Sequence, residues 1–184
     1  MNGTVASIRS FGAACLRRPA AAVDPEAAST TALLEDLWTT LSDDGGVGLA
    51  APQIGVGKRV VVVRDPRKPA GEQRLDLVNP VVVSTFGPET PFTEGCLSFP
   101  GLYTTVMRPR GAVVEYDSVD GRARLKDDDL VARIVQHEVD HLDGVLFIDH
   151  LSAARRFQLL PRLLAIVVGG WVRRTFPSLF RRTS

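Results

Sequence analysis

The pentapeptide His137-Glu138-Val139-Asp140-His141 constrains this chain more than any other stretch. Two imidazoles four residues apart lie on one face of an α-helix, where both can bind a single cation. The glutamate between them stands beside that cation without ligating it, placed to take a proton from bound water. The flanking residues predict the helix. Asp127-Asp128-Asp129 suit the positive end of a helix dipole, and Gly144 follows as a stop. Leu130, Ile134, His137 and His141 fall at i, i+4, i+7 and i+11, so the histidines continue an apolar stripe that points into a core. The chain has 3 histidines in all, His137, His141 and His150. Two of them at this spacing make a chance match a poor explanation.

A hydrolytic metal site takes three protein ligands and leaves a position open for water. The known downstream patterns do not supply the third. Gly144 agrees with an extended HExxHxxGxxH form, but Phe147 stands where its third histidine belongs, and no glutamate follows Glu138. Asp149 and His150 remain, at neither expected offset. Upstream, Cys96 lies in Glu94-Gly95-Cys96-Leu97-Ser98, beside a glycine that lets backbone approach a bound molecule closely. A lone cysteine is more often a buried small hydrophobe. A loop thiolate joined to two helical imidazoles would instead make an open Cys-His-His site.

The rest of the chain reads as one soluble α+β domain. At 184 residues it needs no disulfide staples, and Cys15 and Cys96 are too few for a disulfide framework, which favours a reducing, cytoplasmic setting. A net charge of +1 argues against a DNA-binding protein defined by its charge. Leu33, Leu34, Leu37, Trp38 and Leu41 mark an amphipathic helix over Thr31–Leu41 that stops at Asp43-Asp44-Gly45-Gly46. Strands are expected over 59–64, 75–84 and 112–116, bounded by turns at Asp65-Pro66, Gly87-Pro88 and Asp120-Gly121. The pattern is a mostly antiparallel β region of short hairpins. The first 23 residues hold Arg9, Arg17 and Arg18 and no acid, a loose transit-peptide composition. Pro19 and Pro25 break any amphipathic helix there, so organelle import is the weaker expectation.

Three stretches together resemble the peptide deformylase family of bacteria and organelles. They are Gly46-Val47-Gly48-Leu49-Ala50-Ala51-Pro52-Gln53, Glu94-Gly95-Cys96-Leu97-Ser98 and Gln136-His137-Glu138-Val139-Asp140-His141, in the family's order and at compatible separations. The resemblance implies antiparallel β-sheets packed around a central metal-binding HExxH helix. It implies removal of the formyl group from the N-terminal formylmethionine of newly synthesised polypeptides in the bacterial cytoplasm, with release of formate. Carried over residue by residue, Cys96, His137 and His141 hold the metal, and Glu138 is the general base on metal-bound water. The amide of Gln53 and the backbone N–H of Leu97 are the oxyanion donors. Val47, Gly48 and Gly95 take up the peptide, and Leu130 and Ile134 join Val47 as walls of the methionine pocket. Ligand type alone suggests Zn2+. The family implies Fe2+, one per chain, with Zn2+, Ni2+ or Co2+ as substitutes.

Some features depart from that pattern. Tyr103 stands where some members carry a basic residue near the peptide. Arg133 is expected near the substrate pocket, and Arg108 and Arg110 are alternative contacts for a peptide carboxylate. The resemblance fades after the catalytic domain, residues 1–150. The segment 151–184 carries seven arginines and no acid, +7, so the first 150 residues are +1 − 7 = −6. Its longest apolar run, Leu163 to Val172, is about ten residues where a membrane span needs ~20. Three expectations for this tail stand side by side: contact with a membrane surface, docking to ribosomal RNA, or a helix packed back on the domain with a frayed basic end. Three rivals compete with the deformylase. A zinc endopeptidase lacks its downstream third ligand, a structural metal module needs four closed ligands, and a silent ribosome-binding relative should have lost a ligand or the base.

Overall fold

Four consecutive valines, Val60 to Val63, suit a strand covered on both faces, because β-branched side chains pack well on a pleated surface. In the computed structural model, which describes residues 3–118 and 121–175, they form β2 (Val60–Arg64) and are fully buried. β2 belongs to a five-stranded antiparallel sheet in sequential order with β1 (Gly48–Ala50), β3 (Arg74–Gly95), β4 (Tyr103–Ser118) and β5 (Gly121–Asp127). Alternation along β2 divides the core. Val60 and Val62 meet Leu37, Trp38 and Leu41 of α1 (Ala28–Asp44), while Val61 and Val63 meet Val131, Val135 and Val139 of α2 (Leu130–Leu142). α1 ends where expected, at Gly45, whose left-handed backbone (φ +70°) lets its N–H return to Leu41 O.

The β region differs from the sequence pattern in length. β3 does not end at Ser84, and Gly87-Pro88 is not a hairpin turn. Gly87 takes φ +76° and the register slips between Phe86 and Glu89, so the pair makes a bulge inside a long strand. β4 begins at Tyr103, well before Ala112, because it pairs with β3 all the way to Gly95. One five-stranded sheet with bulges replaces the several expected. Of the turn at Asp120-Gly121, residue 120 lies outside the described residues.

α2 is buried on every side; only Leu130 and Asp140 escape. It starts after the aspartate run rather than within it. Asp127 closes β5, and its Oδ1 accepts the N–H groups of Asp129 (3.0 Å) and Ala132 (3.2 Å), satisfying donors that the helix start leaves open.

The basic N-terminal segment packs into the molecule, with Ala13, Leu16 and Ala20 buried. Its backbone ties down two loops of the central site: Arg9 N–H bonds Gln53 O at 2.7 Å, and Phe11 N–H bonds Ser98 O at 2.8 Å. The C-terminal α3 (Ala153–Thr175) packs back on the same core through Leu159 and Leu163, each worth about 1.5–3 kcal/mol. The expected frayed end, with Arg181 and Arg182, lies outside the described residues.

Arg17, in a 3-10 turn over Ala14–Arg17, bonds both carboxylate oxygens of Asp149, which also accepts Leu146 N–H at 2.8 Å. Burial raises the pKa of Asp149, but these bonds win and hold it below the usual carboxylate value. Its stabilisation is therefore present above the unfolded pKa and is lost as pH falls through the lowered folded one. Asp149→Asn should cost about 1 kcal/mol at neutral pH, because Arg17 is half exposed and its share is screened. The gap between the thermal melts of the two proteins should close only in strong acid.

Candidate metal centre

A helix buried all round and yet carrying Arg133, Gln136, His137, Glu138 and His141 must pair its polar groups or lose stability. The pairing builds the site. His137 and His141 project from successive turns of α2, with ring centroids 5.2 Å apart. Cys96 comes from the loop after β3, where Phe99 N–H closes a turn onto Cys96 O at 2.8 Å. Its Sγ lies 3.3 Å from His141 Nε2. The three ligand atoms of Cys96, His137 and His141 all fall within 4.8 Å of one another, the one such cluster of three or more among the described residues. Asp149 is engaged by Arg17, and His150 by Asp140 at 2.7 Å. Neither downstream alternative reaches the cluster.

The donor set fits a cation. Burial disfavours a charge on His137, yet hydrogen bonds with Cys96 and Glu94 push its pKa up to about 10. A cation bound at this ring therefore takes the place of a proton, so metal binding there competes with protonation. Glu94 Oε2 engages His137 Nδ1 at 2.9 Å, leaving Nε2 for the cluster. Metal-binding histidines are usually oriented by such an outer carboxylate. His141 is pushed well below its ordinary value by burial and by His137, so it stays neutral, as a ligand must.

Glu94 is the residue that sequence reasoning left without a role. It is 5 % exposed, and burial alone would raise its pKa. Bonds from His137 and Arg108 overcome that and hold it at about 2. Arg108 Nε donates to its Oε1 at 2.8 Å, and an Arg133 N–H donates to the same oxygen at 3.0 Å. Arg108 and Arg133 are therefore both engaged inside the site, through Glu94. Arg110, by contrast, is exposed and bonds Asp128 O. The signal for Glu94 was its place two residues before Cys96, in a strand that needed a reason to bury an acid.

Glu138 lines a cleft of about 580 Å³ together with Val47, Gly48, Gln53, Gly95, Cys96, Leu97 and His137. Burial pushes its pKa up to about 7, and its Oε2 has no hydrogen-bond partner among the described residues. Gln53 Oε1 accepts Ala50 N–H at 2.8 Å, which turns the amide NH2 toward Cys96 Sγ (3.4 Å) and Ser98 Oγ (3.3 Å). Tyr103 lies over Gly95 at the cleft's rim, where a Cβ on residue 95 would meet its ring at 2.5 Å. The two expected pocket walls from α2 sit just outside this lining. Ile134 is buried behind Gly48, and Leu130 lines a separate small hollow with Phe92 and Arg133.

An HExxH helix, an upstream cysteine and a glutamate facing an open cleft define the class of metal-dependent hydrolases. The family model for polypeptide deformylase matches residues 5–157, and the chain belongs to the peptide deformylase family. A peptide deformylase of Cytophaga hutchinsonii is 34 % identical over 167 residues, covering 88 % of this chain and 90 % of that protein. One from a Picosynechococcus strain is 44 % identical over 123 residues, 65 % of each chain. A crystal structure of a plant peptide deformylase superposes with a TM-score of 0.85 at 30 % identity, covering 95 % of both chains.

Two substitutions probe the geometry. A Cβ at residue 48 would meet Glu138 Oε1 at 2.6 Å and Ile134 at 2.8 Å. Gly48→Ala should displace the carboxylate and lower kcat more than ~10-fold with only a small shift in melting temperature. Glu94→Gln strips a buried charge from two arginines. It should cost about 3–5 kcal/mol by chemical denaturation, and weaken metal affinity by roughly 10–100-fold in a chelator competition.

Proposed function

We propose that the protein hydrolyses the N-formyl group of formylmethionyl nascent polypeptides, releasing formate, with Fe2+ held by Cys96, His137 and His141. The observation that carries this reading is the convergence of those three ligand atoms beside the unpartnered, buried Glu138 in one open cleft. A cation so held supplies Lewis acidity toward the formyl oxygen and toward water.

The chain's own groups account for the rest. Glu138 takes one proton from the attacking water as the water oxygen bonds to the formyl carbon. It then gives that proton to the nitrogen as the C–N bond breaks, so that a free α-amino group and formic acid leave, the acid losing water's second proton to solvent to become formate. The Gln53 amide, already turned into the cleft by Ala50, donates to the oxygen on which negative charge grows, and the Leu97 N–H is the second donor. β1 is the outer strand of the sheet, and Gly46, Val47 and Gly48 line the cleft, so its free edge can pair with an extended peptide. Val47, Gly48 and Gly95 bound the space for the methionine end. Ile134 acts from behind Gly48 by narrowing the wall, and Leu130 contributes the apolar side of the hollow it shares with Phe92. Tyr103 offers an exposed ring to the residues that follow methionine. Nascent chains as substrate place the activity in the cytoplasm.

The test is formate release from a formyl-Met peptide by protein purified anaerobically with iron. Glu138→Ala should abolish turnover while peptide binding persists. Gln53→Leu should lower kcat by about 10²–10³. Undiminished turnover in Glu138→Ala would remove the glutamate from the reaction. No turnover by the wild type with any of Fe2+, Zn2+, Ni2+ or Co2+, in a protein that binds the peptide, would refute the activity.

A further inference from the structure

We propose that α3 is an interfacial helix that rests on an anionic lipid surface. It carries two apolar faces. One, with Leu159, Leu163 and Ile166, closes the core beside Leu16 and Phe147. The other faces solvent. Phe157, Leu160, Leu164 and Val168 recur at i, i+3, i+7 and i+11 and are 73 %, 42 %, 62 % and 59 % exposed. Scattered apolar residues are ordinary on a protein surface; four in one line over roughly 16 Å of helix form a patch.

The charge around the stripe selects its occupant. Residues 151–184 hold seven arginines and no acid, on a body of net charge −6. Arg155, Arg156 and Arg162 are exposed on α3 itself; at about 100° per residue Arg156 falls beside the stripe, while Arg155 and Arg162 fall toward the far side of the helix. A bilayer surface takes both features. The apolar side chains enter the headgroup boundary by about 5–10 Å, while Arg156 beside them meets a lipid phosphate and the remaining charge of the segment adds longer-range attraction. An RNA surface would pair the arginines and leave the apolar line wet. A second copy packed stripe to stripe would bring two +7 segments together without an acid in either. The helix lies on the membrane and does not cross it, since among the described residues none is long and apolar enough to do so.

Flotation of the full chain with phosphatidylcholine vesicles, with and without phosphatidylglycerol, tests this. Binding should need the anionic lipid and weaken with salt. Phe157→Ser with Leu164→Ser should reduce it by more than about tenfold. Arg156→Gln should reduce it about fivefold, and by more than Arg155→Gln or Arg162→Gln does. All these side chains are exposed, so melting temperature and turnover of a soluble formyl peptide should not change. Absence of vesicle binding would overturn the proposal. So would binding indifferent to the serine pair, association with ribosomes or RNA in its place, or stripe-dependent dimerisation seen by sedimentation.

Discussion

A carboxylate buried to 5 % exposure between two arginines and a histidine is the interaction on which the other features of this protein depend. Glu94 joins β3 to α2 through Arg133 and His137, and β3 to β4 through Arg108. Arg108 carries the network on to Asp140 at 2.6 Å, and Asp140 to His150. Such a cluster contributes little net stability, because desolvating the ions costs about as much as their attraction returns. An apolar replacement of the same volume could fold as well. What the network does is orient His137, holding Nδ1 so that Nε2 faces Cys96 and His141. The function explains an arrangement that stability alone would not select.

The remaining site geometry is held from the opposite side. Among the described residues Glu138 Oε2 has no hydrogen-bond partner, and Gly48 leaves room for the carboxylate where any side chain would intrude. Gln53 is fixed by Ala50 and, through its carbonyl, by Arg9; the Cys96 loop is fixed at Ser98 by Phe11. The N-terminal segment therefore clamps two loops that come from distant parts of the chain. Groups held before substrate arrives need no reorganisation when charge develops, which is where most catalytic stabilisation arises.

Much of this was legible in the residues. The HExxH periodicity located α2, and the glycine-rich run and the cysteine loop marked the cleft. The length of β3 was not legible. Gly87-Pro88 carries the composition of a turn, and only pairing with β4 makes it a bulge. Leu130 and Ile134 follow the apolar stripe as expected, but the stripe is wide enough that its members face different neighbours. Arg108 read as a contact for a peptide carboxylate because burial of an arginine depends on a distant carboxylate that no local pattern reveals. The same holds for α3. Its apolar content could have closed the core, faced outward or done both, and the fold divides it between the two.

The central claim is a cation position bounded by Cys96, His137 and His141 and left open toward Glu138. Anomalous diffraction at the iron edge, from crystals of anaerobically purified protein, tests it most directly. One peak per chain is expected, within about 2.0–2.3 Å of Cys96 Sγ and of both Nε2 atoms, with no fourth protein ligand. A peak elsewhere, or a site closed by Glu138 or another side chain, would contradict it.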